Sequence, residues 1–499
     1  MESYDLLVIG GGINGAGIAR DAAGRGLSVL LVEKDDLGAH TSSASSKLIH
    51  GGLRYLEHYE FRLVAEALAE REVLLKIASH LVRPARFVMP HVPQLRPRWM
   101  IRTGLFLYDH LGRRTRLPGS RAVRLDCPPY SSGLKPECRH GFVYSDCRVD
   151  DARLVVANAR DAAARGATVL TRTECVQAKR DGTAWRVQLR GRQGGREVVA
   201  RAIVNAAGPW VKAVLNERLR QPSTDDVRLV RGSHILLPRL YEGDHAFILQ
   251  NDDRRVVFMI PYGPSHTLVG TTDVPHEGDA GRPEASAAEV DYLCRAASRY
   301  LAREVEPAAV VWRYAGVRPL YDDGTANPSA VTRDYVLRLD ADRGAAPVLS
   351  VFGGKITTYR RLAEQALDKL APWFAGLKPA WTAGAALPGA GAGDGTAFER
   401  ELVQRYPQLP ASLLHALAER HGALAVEVLG NTSTIAELGE SFGAELYARE
   451  IDYLVEREWA MTADDVLWRR TKAGLYVKPA QAEAVRRYLV SQSRGHAWR

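Results

Sequence analysis

The chain has 499 residues, which is enough for two or three domains with well-filled cores. Its formal net charge of +9 favours anionic partners such as nucleic acid, acidic lipid or a phosphorylated substrate. The five cysteines are odd in number and form no CxxC pair, so neither a disulfide framework nor a structural zinc site is expected. We therefore expect a protein of a reducing compartment that binds no metal.

The sequence predicts neither a signal peptide nor a membrane-spanning helix. The first residues, MESYD, lack a basic region and lead at once into an apolar strand, so no signal peptide is expected. No run of about 18 apolar residues occurs, so no membrane-spanning helix is predicted.

The first predicted elements form a strand–helix–strand unit. Tyr4 to Ile9 (YDLLVI) and Leu27 to Val32 (LSVLLV) are typical of buried strands, and Ala16 to Arg25 is typical of a helix. The whole unit has about 30 residues, the size expected of a βαβ unit.

The next elements are a long helix and several antiparallel strands. The helical pattern covers about Tyr59 to Ser79. Residues 168–205 predict a strand meander, and residues 228–273 alternate in the manner of antiparallel strands. Leu349 to Phe352 is another buried strand, after which we expect Gly353-Gly354-Lys355 to open a helix.

A linker signal divides the chain. Pro388 to Thr396 (PGAGAGDGT) is rich in glycine, and the sequence beyond it is mostly helical in period. The clearest helices there are Leu413–Glu419, Ala444–Arg457 and Ala480–Val490. We predict two domains, residues 1–388 and 389–499.

A glycine motif joins the first strand to the first helix. Gly10, Gly12 and Gly15 form GxGxxG, in which the first glycine permits the turn, the second admits a pyrophosphate and the third packs helix on strand. Phosphate is favoured at the helix N-terminus. Glu33 lies 18 residues past Gly15 and is placed to accept hydrogen bonds from the adenosine ribose. The motif predicts a dinucleotide without separating NAD from FAD, but its N-terminal position and the later turn Asn205 to Trp210 favour FAD.

Several segments carry a more specific resemblance. The long ones are Ile9 to Gly26 (IGGGINGAGIARDAAGRG), Thr41 to His58 (TSSASSKLIHGGLRYLEH) and Gly353 to Ala363 (GGKITTYRRLA). The short ones are Tyr144-Ser145-Asp146, Gly232-Ser233-His234, Gly270-Thr271-Thr272-Asp273, Gly316-Val317-Arg318-Pro319 and Thr332-Arg333-Asp334-Tyr335. In order and spacing these segments resemble aerobic, FAD-dependent glycerol-3-phosphate dehydrogenase over nearly the whole chain, including the helical C-terminal region.

The resemblance implies an α/β fold class and a reaction. The fold would be an N-terminal Rossmann-like FAD-binding fold with an inserted antiparallel-sheet substrate region, plus a C-terminal all-helical domain. The reaction would oxidise sn-glycerol 3-phosphate to dihydroxyacetone phosphate by hydride transfer to FAD. The electrons would pass to ubiquinone or a related quinone.

The resemblance also implies a substrate site. Its residues would be Arg54, Tyr55, Arg318 and Arg333, with Lys355 close by. Guanidinium groups suit this role because their planar forks bind phosphate oxygens in bidentate fashion.

The proton acceptor stays open among three residues. His50 and His234 are candidates because imidazole titrates near neutral pH. Arg318 is a third candidate to polarise the C2 hydroxyl, although a guanidinium is hard to deprotonate.

We expect FAD to bind non-covalently, since no cysteine or histidine stands out as a tether. A helix N-terminus at Lys355 would face the flavin pyrimidine and stabilise negative charge there. The hydroxyl-rich run Thr41 to Ser46 would contact the FAD phosphates and ribityl chain. The expected FAD-binding residues are Gly10, Gly12, Asn14, Gly15, Glu33, Thr41, Ser42, Ser43, Ser46, His50, Gly51, Ala207, Gly208, Gly354, Lys355 and Thr357.

A quinone acceptor implies contact with the bilayer. We expect a cytoplasmic protein that is peripheral on the inner face of the cell membrane and attracted to anionic lipid. Leu95 to Arg116 is basic with interleaved aromatics, and Lys355 to Trp381 carries aromatics beyond an amphipathic helix. Either segment could attach to the membrane or pack in the core. The oligomeric state stays open, with a homodimer among the alternatives.

Three other functions compete with this one. An amine or amino-acid oxidase usually needs one arginine for a carboxylate, whereas three candidate arginines favour phosphate. A glycerol-3-phosphate oxidase that uses oxygen resembles proteins with an added insertion, of which this sequence shows no sign. An RNA-binding flavoprotein fits the pI of 9.3, but no RNA-binding module is recognisable, so no nucleic-acid partner is expected.

Overall fold

The computed structural model describes residues 1–92, 96–112, 116–322, 334–341, 344–391 and 395–495. The strands are β1 (Glu2–Ile9), β2 (Val29–Val32), β3 (Leu48–Ile49), β4 (Val82–Pro90), β5 (Arg121–Arg124), β6 (His140–Val149), β7 (Thr168–Leu170), β8 (Glu174–Asp181), β9 (Ala184–Gly191), β10 (Gly194–Asn205), β11 (Val227–Pro238), β12 (Ala246–Gln250), β13 (Val256–Tyr262), β14 (His266–Gly270), β15 (Val274–Pro275), β16 (Trp312–Tyr321), β17 (Val336–Asp340), β18 (Val348–Phe352), β19 (Ser441–Gly443) and β20 (Leu446–Tyr447). The α-helices are α1 (Ile13–Gly24), α2 (Phe61–Ile77), α3 (Arg98–Leu111), α4 (Asp151–Ala164), α5 (Val211–Ala213), α6 (Ala287–Ser298), α7 (Tyr359–Leu370), α8 (Gly395–Arg405), α9 (Ala411–His421), α10 (Ala425–Leu429), α11 (Ala448–Glu458) and α12 (Pro479–Gly495).

The first sheet contains the predicted strand–helix–strand unit. Its order is β17-β18-β10-β1-β2-β7, and β8 and β9 extend it from β10. The strands β18, β10, β1, β2 and β7 run parallel to one another. Because side chains alternate along a strand, Leu6 and Val8 pack in the core on the helical side, while Leu7 and Ile9 pack in the core on the opposite side. Both faces are covered, as expected of a parallel sheet.

The second sheet is larger and mostly antiparallel. Its order is β15-β11-β14-β13-β12-β4-β6-β3, with β16 paired to β11 and β5 to β6. The alternating pattern at 228–273 is confirmed by β11, β13 and β14, which pair in antiparallel fashion. Four strands from residues 48–149 also belong to this sheet, and no sequence pattern had predicted them.

The C-terminal region has its own core. Buried residues from Leu402 to Leu489 form one hydrophobic cluster among α8 to α12. The hairpin β19–β20 is a small departure from the all-helical expectation. The region is tied to the first sheet by buried ion pairs, among them Arg470 with Asp36 at 2.6 Å and Arg153 with Glu458. The boundary between residues 388 and 389 stays a prediction.

One sequence prediction near Lys355 is wrong, and one open alternative is decided. The helix after Gly354 begins at Tyr359 and not at Lys355, because a turn first bonds the Thr358 amide to the Lys355 carbonyl. Of the two alternatives for Lys355 to Trp381, membrane attachment or packing in the core, the structure shows packing in the core. Phe374 is 3 % exposed in the main core, and the Trp381 indole donates a hydrogen bond to the Asp21 carbonyl. In the described part of the chain, no helix has the length and apolar character needed to cross a membrane.

Candidate active site

A cavity of about 550 Å³ lies at the carboxyl ends of β1, β2 and β10. This is the edge of an open parallel sheet at which ligands bind. The cavity extends from Glu33 and Trp210 at one end to Arg54 and Arg318 at the other. We call these the nucleotide end and the substrate end.

The glycine turn between β1 and α1 leaves no room for side chains. Gly10 has φ +108°, and a Cβ there would lie 2.5 Å from the Ala206 carbonyl oxygen. A Cβ on Gly12 would project to within 3.1 Å of the Ser42 hydroxyl, which accepts a hydrogen bond from the Ile13 amide. Backbone amides at a helix start, without covering side chains, form the site that a pyrophosphate requires.

Gly15 has the packing role predicted for the third glycine of the motif. A Cβ there would lie 1.9 Å from the Gly10 carbonyl oxygen, so its lack of a side chain lets α1 pack against the turn. Gly15 does not line the cavity, and its direct contact with FAD stays a prediction.

Glu33 closes the nucleotide end. Its carboxylate accepts hydrogen bonds from the amides of Gly11 at 2.6 Å and Asp35 at 2.8 Å. Burial raises the pKa of Glu33, whereas these two hydrogen bonds lower it. Lys34 lies 3.9 Å above the ring of Trp210, and this pair, missed by the sequence analysis, adds a flat cationic surface beside the ribose position. Its only signal was the place of Trp210 at the end of a turn already predicted to meet the cofactor.

Asn14 links the glycine turn to the segment after β18. Its side-chain amide donates to the Gly353 carbonyl at 3.2 Å, and a Cβ on Gly354 would lie 2.8 Å from the same nitrogen. The Asn14 Oδ1 atom is buried and has no hydrogen-bond partner among the described residues. An unsatisfied buried acceptor in the cavity wall fits a bound polar group.

The hydroxyl-rich run begins with a short 3-10 turn at Thr41–Ser43, and most of the run lines the cavity. Thr41, Ser42 and Ser46 line the cavity, as predicted. Ser43 does not line it, and its hydroxyl instead donates to the His40 carbonyl. Gly51 does not line it either, because the space beside it is filled by Leu68 and Tyr108. The cofactor contacts predicted for Ser43 and Gly51 receive no support from this arrangement and stay predictions.

Other residues predicted to contact FAD also line the cavity. The residues that line the cavity include Ala207, Gly208, Gly354, Lys355 and Thr357. Together with the glycine turn and Glu33 they form a continuous wall from one end to the other, and this wall fits FAD.

Three cationic side chains from separate segments line the cavity on the side that we call the substrate end: Arg54, Arg318 and Lys355. Arg318 is held by Asp273 and by the Thr271 hydroxyl at 2.7 Å. The Lys355 ammonium lies 3.9 Å from the ring of Tyr55. Thr271 and Asp273 were not assigned roles from the sequence, although they belong to a segment that carried the resemblance.

Arg54 and Arg333 are the other two arginines predicted for the substrate site. Arg54 makes no hydrogen bond or ion pair with any described residue. Arg333 lies outside the described residues, and its role stays a prediction.

The two histidines of the substrate end lie in different environments. His234 is 2 % exposed, its Nε2 is 2.9 Å from the Ser46 hydroxyl, and its ring stacks on Tyr314 at 4.8 Å. Burial, with the positive charge of Arg318 as the next cause, holds the pKa of His234 well below its usual value. His50 also lines the cavity but is only partly buried, and its backbone amide donates to the Thr357 hydroxyl.

Comparison with known proteins agrees with this site. Residues 5–360 match the family model of FAD dependent oxidoreductases, and residues 380–498 match that of the C-terminal domain of alpha-glycerophosphate oxidase. The protein is thus an FAD-dependent oxidoreductase, and FAD is its cofactor.

More specific relatives share nearly the whole chain. It is 55 % identical to glycerol-3-phosphate dehydrogenase of Pseudomonas aeruginosa over 98 % of this chain and 96 % of that protein. It is 50 % identical to D-erythritol 1-phosphate dehydrogenase of Brucella abortus over 97 % of each. The crystal structure of glycerol-3-phosphate dehydrogenase from Bacillus halodurans, complexed with FAD, matches with a TM-score of 0.76 at 26 % identity, covering all of this chain and 91 % of that one. The chain belongs to the family of FAD-dependent glycerol-3-phosphate dehydrogenases, which confirms the resemblance seen in the sequence.

Proposed function

We propose that the protein oxidises sn-glycerol 3-phosphate to dihydroxyacetone phosphate. The observation that carries the proposal is that Arg54, Arg318 and Lys355 line the same cavity as the glycine turn and Glu33, whose wall fits FAD. Bound FAD would accept the hydride from C2 of the substrate. The chain supplies the phosphate grip, the orientation of C2 and the proton acceptor.

Binding of the substrate phosphate would depend on the positive charge of the arginine side chains and on how freely each of them can move. Arg54 has no described partner and can turn its guanidinium fully toward a phosphate dianion. Arg333 would join it, as the family resemblance implies. Arg318 is anchored by Asp273 and Thr271, so it is suited to orienting one oxygen of the substrate and not to following a mobile phosphate.

His50 is the proton acceptor that the environment favours. A general base must accept a proton near the working pH, and the low pKa of His234 makes that ring a poor acceptor. His50 is partly exposed at the same end of the cavity. His234 would instead fix the Ser46 hydroxyl beside the reacting groups.

A second candidate substrate is D-erythritol 1-phosphate. The 50 % identity to the Brucella abortus enzyme, close to the 55 % shared with the Pseudomonas aeruginosa enzyme, favours it specifically. Both substrates offer a phosphate and a secondary alcohol, so the same cations would serve either.

The deciding experiment mixes the FAD-loaded protein with each substrate in the absence of oxygen. We expect the flavin absorbance to bleach quickly with sn-glycerol 3-phosphate and to remain with glycerol at the same concentration. Faster bleaching by D-erythritol 1-phosphate would transfer the proposal to the second substrate. No bleaching by either phosphate would contradict both.

We further propose that the electrons leave to a membrane quinone and that α3 holds the protein on the inner face of the membrane. Trp99, Met100 and Phe106 on α3 are 69 %, 42 % and 54 % exposed. Tyr59 and Phe61, which precede and begin α2, are 81 % and 39 % exposed. Such an apolar surface, flanked by exposed arginines, is typical of a helix that lies in the lipid interface.

The buried face of α3 points the other way and meets the active site. Ile101, Leu105 and Tyr108 are buried, and the Tyr108 hydroxyl accepts a hydrogen bond from the Gly51 amide at 2.7 Å. Gly51 lies three residues before Arg54. One helix thus connects the proposed lipid face with the substrate end, which suits the passage of electrons to a lipid-soluble acceptor.

Liposome pelleting tests the membrane proposal. Replacing Trp99 and Phe106 together by serine should weaken binding to anionic vesicles at least about tenfold, because a buried large side chain contributes roughly 1.5–3 kcal/mol. The matched control is Ile435→Ser, another exposed apolar residue, which should bind as the wild type does. Binding should also weaken with salt, and equal loss in the control would contradict the role of α3.

A further inference from the structure

A second cleft lies between the N-terminal and C-terminal regions, with a volume of about 270 Å³. One side is formed by the segment Ala39–Lys47 and by β16, and the other by residues 468–475 of the C-terminal region. No part of the proposed reaction uses this cleft.

The charged lining of the cleft is entirely cationic apart from one histidine. The basic residues are Lys47, Arg282, Arg469 and Lys472, and no aspartate or glutamate lines the cleft within the described parts of the chain. Three of the four basic residues form ion pairs with carboxylates: Lys47 with Asp151, Lys472 with Asp150, and Arg469 with Asp36. Arg282 is exposed and makes no ion pair with any described residue, so its charge is available to a ligand.

The two lysines are placed closely enough to repel each other. Burial lowers the pKa of Lys472; Asp150 opposes this shift, and the charge of Lys47 adds to it. Both lysines also have left-handed backbone, with φ 57° at Lys47 and 60° at Lys472, a conformation that non-glycine residues seldom adopt. An anion bound between them would relieve the repulsion.

The other walls of the cleft are aromatic. Trp312 and Trp468 stack with ring centres 4.6 Å apart, and Tyr262 and Tyr314 also line the cleft. Aromatic surfaces beside cations suit a small organic anion better than a bare inorganic ion.

The cleft shares a thin wall with the FAD cavity. Thr41, Ala44 and Gly316 line both spaces. A Cβ on Gly316 would lie 2.8 Å from the Ala44 side chain, so the two backbones are in direct contact. The Lys47 ammonium also donates to the Ser43 carbonyl at 2.9 Å, inside the turn that holds Ser42 against the glycine motif.

From this arrangement we propose that the cleft is a second ligand site, which takes a small organic anion bearing two or more carboxylate or phosphate groups. Binding there changes the environment of the flavin through the turn at 41–44. The site is independent of which substrate the enzyme oxidises, because it depends only on the presence of FAD.

The test titrates the FAD-loaded protein with citrate and, separately, with the organic bisphosphate fructose 1,6-bisphosphate at constant ionic strength. Isothermal titration calorimetry measures binding, and the flavin difference spectrum reports a change across the shared wall. The two probes separate a polycarboxylate from a phosphate ligand. We expect saturable binding of at least one of them with a spectral shift that follows the same curve.

Variants then locate the bound anion. Arg282→Glu should weaken binding at least about tenfold, since it replaces a charge-assisted contact by repulsion. Arg295→Glu is the matched control, because Arg295 is an exposed arginine on the nearby α6 that does not line the cleft. Lys472→Met, checked by thermal unfolding, removes a second cation from the cleft and should weaken binding as well.

Four results would overturn the proposal. One is the absence of saturable binding by both probes, and another is equal affinity in the wild type and Arg282→Glu. A third is equal weakening by Arg295→Glu, which would show a general charge effect. The last is loss of binding in Arg54→Ala with full binding in Arg282→Glu, which would place the anion in the active-site cavity.

Discussion

The two ends of the active-site cavity are built in different ways. The nucleotide end consists largely of backbone from one continuous segment, the turn at residues 10–15 and the end of β2 just before Glu33. The substrate end consists of long side chains from three separate segments of the chain, Arg54, Arg318 and Lys355. The first holds a cofactor by shape and amide groups, whereas the second recognises a substrate by charge. Variants at the two ends should therefore fail differently.

The largest effect is expected at His50. His50→Asn should lower kcat by about 10²- to 10⁴-fold, the range for loss of a general base. Because the base must be unprotonated to act, the wild-type rate should fall at low pH, and this acidic limb should vanish in the variant. The measurement is the pH profile of kcat with an artificial acceptor, at unchanged flavin content.

His234→Asn is the comparison for that experiment. The pKa of His234 is already far below the working range, so its loss should lower the rate without removing the acidic limb. If the limb disappears in His234→Asn and survives in His50→Asn, the two assignments must be exchanged.

Variants of Arg333 and Arg318 should distinguish binding of the phosphate from orientation of the reacting carbon. Loss of one charge-assisted contact costs roughly 1.5–3 kcal/mol, which is about 10- to 150-fold in kcat/KM. Arg333→Ala should show this mainly in KM, since a phosphate contact is equally strong in the ground and transition states. Arg318→Ala should also lower kcat, because its fixed guanidinium orients the reacting carbon.

Steady-state kinetics of both variants decide this point, with flavin occupancy measured alongside. Slow turnover of glycerol, which has no phosphate, should barely respond to Arg333→Ala. Arg318→Lys keeps the positive charge but lacks the planar guanidinium. It is the control for unfolding of Arg318→Ala, in which Asp273 would be left without its ion-pair partner. Wild-type kcat/KM in Arg333→Ala would remove that residue from the phosphate site.

At the nucleotide end, Gly12→Ala should weaken the binding of FAD without changing the rate of the reaction. The new Cβ would project to within 3.1 Å of the Ser42 hydroxyl, where a pyrophosphate must approach the amides. We expect the FAD dissociation constant to rise about tenfold or more, as when a charged hydrogen bond is lost. Once saturated with FAD, the variant should have the wild-type kcat.

Gly104→Ala serves as the control, since a Cβ there meets no atom within 4 Å. Flavin fluorescence during dilution measures the dissociation constant for both proteins. A kcat defect in fully loaded Gly12→Ala would mean that the two ends are not separable.

The same contrast explains what could be predicted from the sequence. The glycine motif, β1 and β2 depend on neighbouring residues, so their positions agree with the structure to within a few residues. Strands β3 to β6 pair with partners far away in the chain, and no local pattern specifies that pairing. The substrate end was predicted only from the resemblance, because Arg54 and Arg318 are far apart in the chain and carry no local sign that they line the same cavity.

The positions of Ser43 and Gly51 outside the cavity wall have a shared physical origin. Both residues were placed in the site because neighbours such as Ser42 and His50 belong there, but a chain that turns directs adjacent residues to different sides. The late start of α7 at Tyr359 has a similar cause, since glycines at 353 and 354 with positive φ first turn the chain. A motif thus indicates a segment, and only the backbone path decides which of its side chains face the ligand.

The smallest effect is expected at Trp210, where the nucleotide end does use a side chain. Its ring lies 3.9 Å from the Lys34 ammonium and in edge contact with His40. A cation–π contact at such a partly exposed site contributes roughly 0.5–1 kcal/mol, so Trp210→Ala should raise the FAD dissociation constant only about two- to fivefold. Lys34→Met should produce a change of similar size, and the double variant should be little worse than either single one, because both remove the same contact. The substrate KM should stay at its wild-type value in all three, since Trp210 is at the far end of the cavity from Arg54. A rise in the FAD dissociation constant as large as that expected for Gly12→Ala would show that FAD binding at this end also depends on a side chain. The distinction between an end built from backbone and an end built from side chains would then fail.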